Sequence, residues 1–544
     1  MDECHTTGLP EQQRLIQRWL ALLEKTEPAV SVIETHVSWI LVIGQYAYKV
    51  KKALLLDFLD YSDLALRRFY CQEEIRLNRR TAPGIYLDVV QIGGTREAPE
   101  LNSNPALEYA VKMRRFDDAN QLDRLLEAGR LTSSHIDSLA SAIARFHLDL
   151  TANAEQDNAA FYGMPSFVLR DLVENLQELG GLLKEREDVA LWEAMKQAQI
   201  AEFTACRDLF TARCRNGFVR EGHGDLHMGN LVVVDGQVVP FDGIDFDPAY
   251  RFRDVMSDVA FAFMDLLYYG KAPFAWRLVN TYLQQTGDDE GVALLRFYAA
   301  YHATVRAKVR LIRSGQENGN DGKASLPDAP YRRYMKLARE VLTDRVPALI
   351  VTSGLPGSGK TVFARMAVEK LSGIALCSDV FRERLYGRNV PGSVEENSDS
   401  RYTPQAKEQV YGLLLESADA LLKAGMTVIV DAAFLKASQR ELFRKLAESR
   451  AVPFAVAAIS ADPETLKTRV RERQEMDDDA SEATPDVLAM LMGEAEPFGK
   501  AELSFVVNFA NEGDTGFDDQ APGWVALGKK IKSHEKRNNF FTVP

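Results

Sequence analysis

The sequence predicts two domains in series: an α+β bilobal domain, then an α/β domain built on a parallel sheet. Three observations lead there. The chain has 544 residues, too many for a single hydrophobic core. Residues 348–371 read as a buried strand, a glycine-rich loop and a helix, the opening unit of a parallel α/β sheet. Residues 223–245 read as a polar loop, a tight hairpin and an acidic turn, preceded by hairpin strands and flanked by helices.

The composition is that of a globular protein, 46% hydrophobic and 26% charged. A net charge of -13 argues against a broad nucleic-acid surface or an anionic-membrane surface. The five cysteines (Cys4, Cys71, Cys206, Cys214, Cys377) form no C-x-x-C pair and are odd in number, which suits free thiols in a reducing cytoplasm. No apolar signal region and no run of membrane-spanning length is visible.

Residues 11–25 put Leu15, Ile16, Trp19, Leu22 and Leu23 on one helical face. Residues 1–29 are therefore expected to form an N-terminal helix ahead of a domain over 30–325. Residues 39–43 and 46–50 read as hairpin strands about Gly44-Gln45, with Ala47 and Lys49 on one face. A helix is expected over 64–78, carrying Glu73 and Glu74. Strands are expected over 86–92 and 108–113, helix over 131–150, and mostly helix over 165–215.

The first chemical stretch is His223-Gly224-Asp225-Leu226-His227-Met228-Gly229-Asn230. Strands 231–234 and 238–241 flank the turn pair Asp235-Gly236, and Asp242-Gly243-Ile244-Asp245 follows. An Asp, an Asn five residues on and an Asp after a hairpin form the catalytic layout of protein-kinase-like folds. In that layout Asp225 orients the acceptor hydroxyl, and Asn230 and Asp242 hold Mg²⁺ against the phosphates of ATP. Lys49, with Ala47 two residues earlier, matches the phosphate-pairing lysine, and Glu74 or Glu73 its helix partner. His223, Asp225 and His227 also invite a zinc reading, but no third histidine or cysteine lies nearby to complete the set. His223 is expected to be structural.

On these motifs, residues 30–325 resemble the aminoglycoside phosphotransferase and choline kinase branch of the kinase-like superfamily. HGDLHMGN, FDGID, SDVAF at 257–261 and ARFH at 144–147 carry the resemblance. The branch usually has I-D-F/W-E. Here Asp242 and Asp245 are three apart, and Asp245-Phe246-Asp247 offers a second match. Asp242 is preferred because it follows Asn230 by twelve residues, with Asp245 as the alternative. No G-x-G-x-x-G loop precedes Lys49, so a pseudokinase remains open.

Residues 326–345, with Pro327, Pro330 and a charged helix-like stretch, are expected to be a linker to a second domain over 346–544. That domain opens on Gly354-Leu355-Pro356-Gly357-Ser358-Gly359-Lys360-Thr361, the P-loop pattern between strand and helix. Its backbone N–H groups cradle phosphates, Lys360 reaches the β- and γ-phosphates, and Thr361 holds Mg²⁺. A strand over 374–377 delivers Asp379 and Arg382 to the ligand-binding crevice of an open sheet. Another, 427–431, ends in Asp431, which should orient Mg²⁺ or its water; a further strand is expected over 454–460. Arg469 and Arg473 follow at i and i+4, spaced for a lid over the phosphates.

This half resembles the small P-loop kinases of the polynucleotide kinase and gluconate/shikimate type, with an AAA-type ATP-binding loop. In SDVFR the resemblance implies that Asp379 is the general base and that Arg382 binds a substrate anion. The order of the two halves is similar to a bacterial class joining a phosphotransferase-like domain to a P-loop kinase domain. The expected activity is transfer of the γ-phosphoryl group of ATP, with Mg²⁺, to hydroxyls of small-molecule or oligonucleotide acceptors. The alternative is a regulatory ATP-binding protein whose N-terminal pseudokinase controls the P-loop half. The acidic charge disfavours polynucleotide acceptors, and the absence of an oligomer-type insertion disfavours a mechanical ATPase.

Overall fold

The computed structural model describes residues 8–27, 30–56, 59–150, 156–317, 329–386, 403–476, 484–512, 517 and 521–532. They divide into one unit of Met1–Leu266 with Phe297–Met335 and a second of Leu267–Arg296 with Lys336–Pro544. The first unit carries a six-stranded antiparallel sheet, and the second a five-stranded parallel α/β sheet that includes the strand ahead of the P-loop sequence.

In the first unit, six antiparallel strands run in the order Val30–Glu34, Ser38–Ile43, Tyr46–Lys51, Ala106–Arg114, Tyr86–Gly94, Pro99–Leu101. The alternation over 38–51 puts Trp39, Leu41, Tyr48 and Val50 into one core with Ile16 and Trp19 of the helix Leu9–Thr26. That helix is bound into the sheet. Gln12 Nε2 donates to Lys51 O (2.8 Å) and Glu108 Oε2 (2.7 Å), and Gln12 Oε1 accepts from Ala53 N–H (2.7 Å). The helix Leu64–Asn78 begins where the Asp63 side chain accepts from Ala65 N–H. It packs Cys71 and Ile75 beside Tyr86 and Val111. A buried pair, Arg67 with Glu108, pins it to the sheet at 2.9 Å. Beyond the sheet the unit is mainly helical, with the hairpin Leu231–Val234 and Gln237–Pro240 turning at Asp235-Gly236.

In the second unit the strand order is Gly373–Cys377, Thr427–Asp431, Leu349–Ser353, Phe454–Ser460, Val506–Ala510, all parallel. Every residue of Leu349–Ser353 and Thr427–Asp431 is buried, which explains the apolar, mostly β-branched runs Leu349–Val351 and Val428–Val430. The helix Ala272–Thr286 belongs to this unit although it lies inside the 30–325 span. Its Asn280 side chain donates to Gly373 O (2.9 Å) and accepts from Ala375 N–H (2.7 Å), like one further strand on that edge. Residues 330–343, within the expected linker, form the helix Pro330–Thr343 with Tyr334, Met335, Ala338 and Leu342 buried. Pro327 lies outside the described residues.

Candidate active sites

Lys49 and Lys51 are two apart on the strand Tyr46–Lys51, so they face the same side. Glu74 meets both from its helix: Oε1 accepts from Lys49 Nζ at 2.9 Å and Oε2 from Lys51 Nζ at 2.7 Å. Lys49 also donates to Asp242 Oδ1 at 2.6 Å, and Lys51 to Asp245 Oδ2. Burial works against the charge on Lys49, but Asp242 and then Glu74 outweigh it and hold the ammonium well above the ordinary lysine range. Burial also opposes the charge on Glu74, yet Lys49 and Lys51 carry its carboxyl down to about 2. Glu73, the other helix acid, pairs with Arg76 at 2.8 Å instead.

Asp242 and Asp245 differ in the same way. Asp245 is buried against Lys51, whereas the Asp242 side chain is 45% exposed. Asp242 has a φ of 61°, a left-handed conformation that Asp tolerates better than most residues. Two side chains hold the turn there. Asp242 N–H donates to the Tyr86 hydroxyl (3.0 Å) and Gly243 N–H to Asn78 Oδ1 (2.8 Å).

The 223–230 loop is held from beneath by Asp258. Its carboxylate accepts from His223 N–H (2.8 Å) and Gly224 N–H (2.9 Å), with His147 Nε2 at 3.3 Å. Burial would raise Asp258, but the His147 hydrogen bond and the surrounding charge hold it far below the usual carboxylate range. The stretches 144–147 and 257–261 therefore meet under the loop. Asp265 adds a bond from Met228 N–H at 2.9 Å. The His223 ring bridges loop and hairpin: Nε2 donates to Phe241 O (3.0 Å), and Nδ1 accepts from Asp225 N–H (3.3 Å), a tautomer assigned from these partners. Burial lowers its pKa and keeps the ring neutral. The Asn230 amide donates to Asp225 O and Oδ2, both at 3.0 Å. Asn230 O accepts from Phe241 N–H at 3.0 Å, one residue before Asp242.

Asp225 keeps 36% of its side chain exposed, and burial of the rest pushes its pKa up, against the pull of Arg306. A part-buried carboxylate raised in this way takes up a proton more readily than a free one. The carboxamide oxygen of Asn230 and the carboxylate of Asp242 are hard donors too few to enclose a cation alone. That set fits a Mg²⁺ shared with nucleotide phosphates and water.

In the second unit the loop 354–361 rises from the end of a fully buried strand. A Cβ on Gly354 would stand 2.4 Å from Ile459 O. Gly359 has a φ of 97°, and a Cβ there would meet Asn511 Nδ2 at 2.2 Å. Gly357 also has a positive φ, 80°. Gly359 caps the helix Lys360–Leu371, so the first-turn N–H groups open onto the loop. Ser358 Oγ is buried without a hydrogen-bond partner. A backbone cradle this narrow with an unpaired hydroxyl fits a phosphate chain. Lys360 Nζ donates to Leu355 O at 3.0 Å, so it lies over the loop. Burial raises Asp431, countered first by Lys360 and then by a hydrogen bond from the Thr361 hydroxyl. Asp431 pairs with Cys377 in the parallel register, and Asp379 follows in the first turn of Ser378–Tyr386, bonded to Arg382.

Arg469, expected over the phosphates, stands against the P-loop itself. Its guanidinium donates to Gly357 O and Asn511 O, both at 3.2 Å, and so braces the loop backbone. Leu466 and Val470 of the same helix pack beside Leu355, which holds the arginine against the loop. The Arg473 side chain lies outside the described residues. Reading the sequence alone overlooked Lys51, whose signal was strand alternation from Lys49, and the anchoring role of Asp258, which sits inside a motif already noticed. Tyr86, Asn78 and Asn511 carried no sequence signal, because each acts through a fold-level contact.

Comparisons with known proteins bear on both halves. A family model described as AAA domain matches residues 349–498. Uncharacterized proteins of Mycobacterium bovis and Mycobacterium tuberculosis are each 29% identical to this chain over 472 residues, covering 86% of it and 90% of their own length. Among solved structures, the amicoumacin kinase hAmiN, in complex with AMP-PNP, Ca²⁺ and Ami, is 12% identical and spans 61% of this chain and 96% of its own, with a TM-score of 0.38. The APS kinase CysC of Mycobacterium tuberculosis, in complex with AMPPNP and APS, is 20% identical and spans 34% and 99%, with a TM-score of 0.26.

Proposed function

We propose that the chain carries two Mg·ATP-dependent phosphotransferase sites, one in each unit, both moving the γ-phosphoryl group to an acceptor hydroxyl. The observation that carries this reading is Lys49 Nζ, 2.9 Å from Glu74 and 2.6 Å from Asp242, beside the loop that holds Asp225 and Asn230. A buried lysine held by a helix glutamate, close to the candidate metal-binding acid, supports a place for a nucleotide's phosphates between them.

In the N-terminal unit Lys49 pairs with the phosphates, and Asn230 and Asp242 hold the metal. Asp225 accepts the acceptor's proton at its carboxylate, which Asn230 already orients. Bound Mg²⁺ supplies neutralisation of charge on the transferring group. In the C-terminal unit the loop N–H groups and Lys360 bind phosphates, and Thr361 and Asp431 place the metal. Asp379 takes the proton, and Arg382 meets an anionic part of the acceptor. The net charge of -13 favours a small molecule over an oligonucleotide as acceptor. Among the described residues no helix is long and apolar enough to cross a membrane, and a reducing cytoplasm suits the chain's cysteines.

Two observations favour a second reading, in which the N-terminal unit binds ATP without transfer and regulates the P-loop half. The direct Lys49–Asp242 pair neutralises the metal-binding acid, and the hairpin ahead of Lys49 has only Gly44-Gln45 at its turn. Full-length Lys360→Ala protein, given Mg·ATP and a panel of sugars, aminoglycosides, nucleosides and oligonucleotides, separates the two. Turnover that disappears on adding Asp225→Asn supports transfer. ATP binding without any turnover supports regulation.

A further inference from the structure

The helix Leu64–Asn78 has two polar faces. Glu74 points at Lys49 and Lys51, while Gln72 and Arg76, two residues to either side, face the other way round the helix. With Arg68 and Arg79 they line one wall of a 580 Å³ cleft, whose opposite wall includes Asp88 and Tyr109 from the sheet. None of the residues proposed for ATP, metal or proton transfer lines it.

The cleft carries an excess of positive charge. Arg76 is matched by Glu73 and Glu221, both at 2.8 Å. Arg68 has no carboxylate partner among the described residues; its guanidinium rests 5.3 Å from the centroid of the Tyr109 ring. Arg79 donates to Tyr86 O at 3.1 Å and to Leu87 O, contacts that fix its position without neutralising it. Asp88 is the only acid on the lining, and its carboxylate accepts from Val89 N–H at 2.8 Å. Two uncompensated guanidiniums, one resting on a ring and one tied to carbonyls, are oriented before any ligand arrives. Planar forked donors of this kind match phosphate oxygens, and the volume suits a small molecule.

We propose that this cleft binds a phosphate-bearing small molecule at a site separate from both nucleotide sites, and that occupancy is felt at Glu74 because one helix walls both. Linkage then makes the effect reciprocal: cleft ligand and N-terminal nucleotide change each other's affinity by the same factor.

Calorimetric titration with pyrophosphate tests the site. The full chain carries Lys360→Ala and Asp242→Ala, which disable both nucleotide sites. One pyrophosphate per chain is expected, bound at least tenfold more weakly after Arg68→Glu and recovered only in part by Arg68→Lys, which keeps the charge and loses the planar fork. Arg68 is exposed and forms no ion pair, so the charge-reversed chain should fold, with an unchanged thermal transition as the check. No binding at millimolar pyrophosphate, or binding indifferent to Arg68→Glu, overturns the site. Coupling is read in the Lys360→Ala chain at fixed free Mg²⁺. Pyrophosphate should shift Mg·AMP-PNP affinity severalfold, and Arg68→Glu should remove that shift. A shift that survives Arg68→Glu is direct competition at the nucleotide site and overturns the coupling.

Discussion

Glu74→Gln removes one negative charge and almost no volume, so it isolates the electrostatic role of the carboxylate shared by Lys49 and Lys51. The drop of Glu74 from 4.5 to about 2 corresponds to about 3 kcal/mol at ~1.4 kcal/mol per unit. Removing one partner of a buried pair costs about 3–5 kcal/mol, an independent figure of the same size. Lys51 bears most of it: its side chain is 2% exposed and would keep only Asp245 as an acidic partner. Because the folded pKa lies below the unfolded one, the stabilisation is complete above about pH 4.5 and is lost as pH falls towards 2. Scanning calorimetry of the full chain should show the transition of the N-terminal unit lowered by on the order of 5–10 °C at pH 7, with the P-loop unit unmoved. The difference from wild type should narrow on acidification. A shift below about 1 °C, or one that stays constant with pH, would mean that Asp242 and Asp245 hold the lysines unaided.

Four further outcomes follow from the sites. Asp258→Ala strips the buried His223 N–H, the part-buried Gly224 N–H and the His147 ring of their partner, at about 1–3 kcal/mol for a buried group, so the Lys360→Ala chain should lose transfer by about a hundredfold or more; near-normal kcat would deny the anchoring role. Burial raises Asp225 above 3.8, so kcat of the same chain should fall as acid protonates it, with a midpoint above that value; a profile flat down to pH 4 would exclude it as the base. Arg469→Gln should weaken Mg·AMP-PNP binding at the P-loop about tenfold by loosening Gly357, whereas a lid arginine would leave binding intact and lower transfer. Gly359→Ala should abolish nucleotide binding there, because the added Cβ meets Asn511 at 2.2 Å on a residue with φ of 97°; calorimetry on the purified variant reads it.

What was legible in the sequence was local periodicity and short spacing. Turn residues between apolar runs marked both hairpins, the helix over 64–78 was bounded as found, and the strand–loop–helix around Lys360 followed from glycines and apolar runs. Spacing also brought Asp225, Asn230 and Asp242 onto one loop and hairpin. The rest depended on contacts between distant segments. The choice of Glu74 over Glu73 as the lysine partner rests on which way the helix is turned, and Asp242 and Asp245 each meet their own lysine, Lys49 and Lys51, a pairing their spacing alone did not show. Arg469 matched a lid by spacing, and its contact with the Gly357 carbonyl, which comes from the packing of its helix against the loop, had no sequence signal. The helix Ala272–Thr286 joins the P-loop unit through Asn280, an isolated polar residue whose partners are backbone atoms more than ninety residues away.

The central claim, two nucleotide sites on one chain, is tested most directly by calorimetric stoichiometry of Mg·AMP-PNP on the full-length protein. Two molecules per chain are expected in the wild type, one after Lys360→Ala, and none when Asp242→Ala is added. Loss of all binding with Lys360→Ala alone would contradict the account, because it would leave Lys49, Asn230 and Asp242 arranged as a nucleotide site that binds no nucleotide.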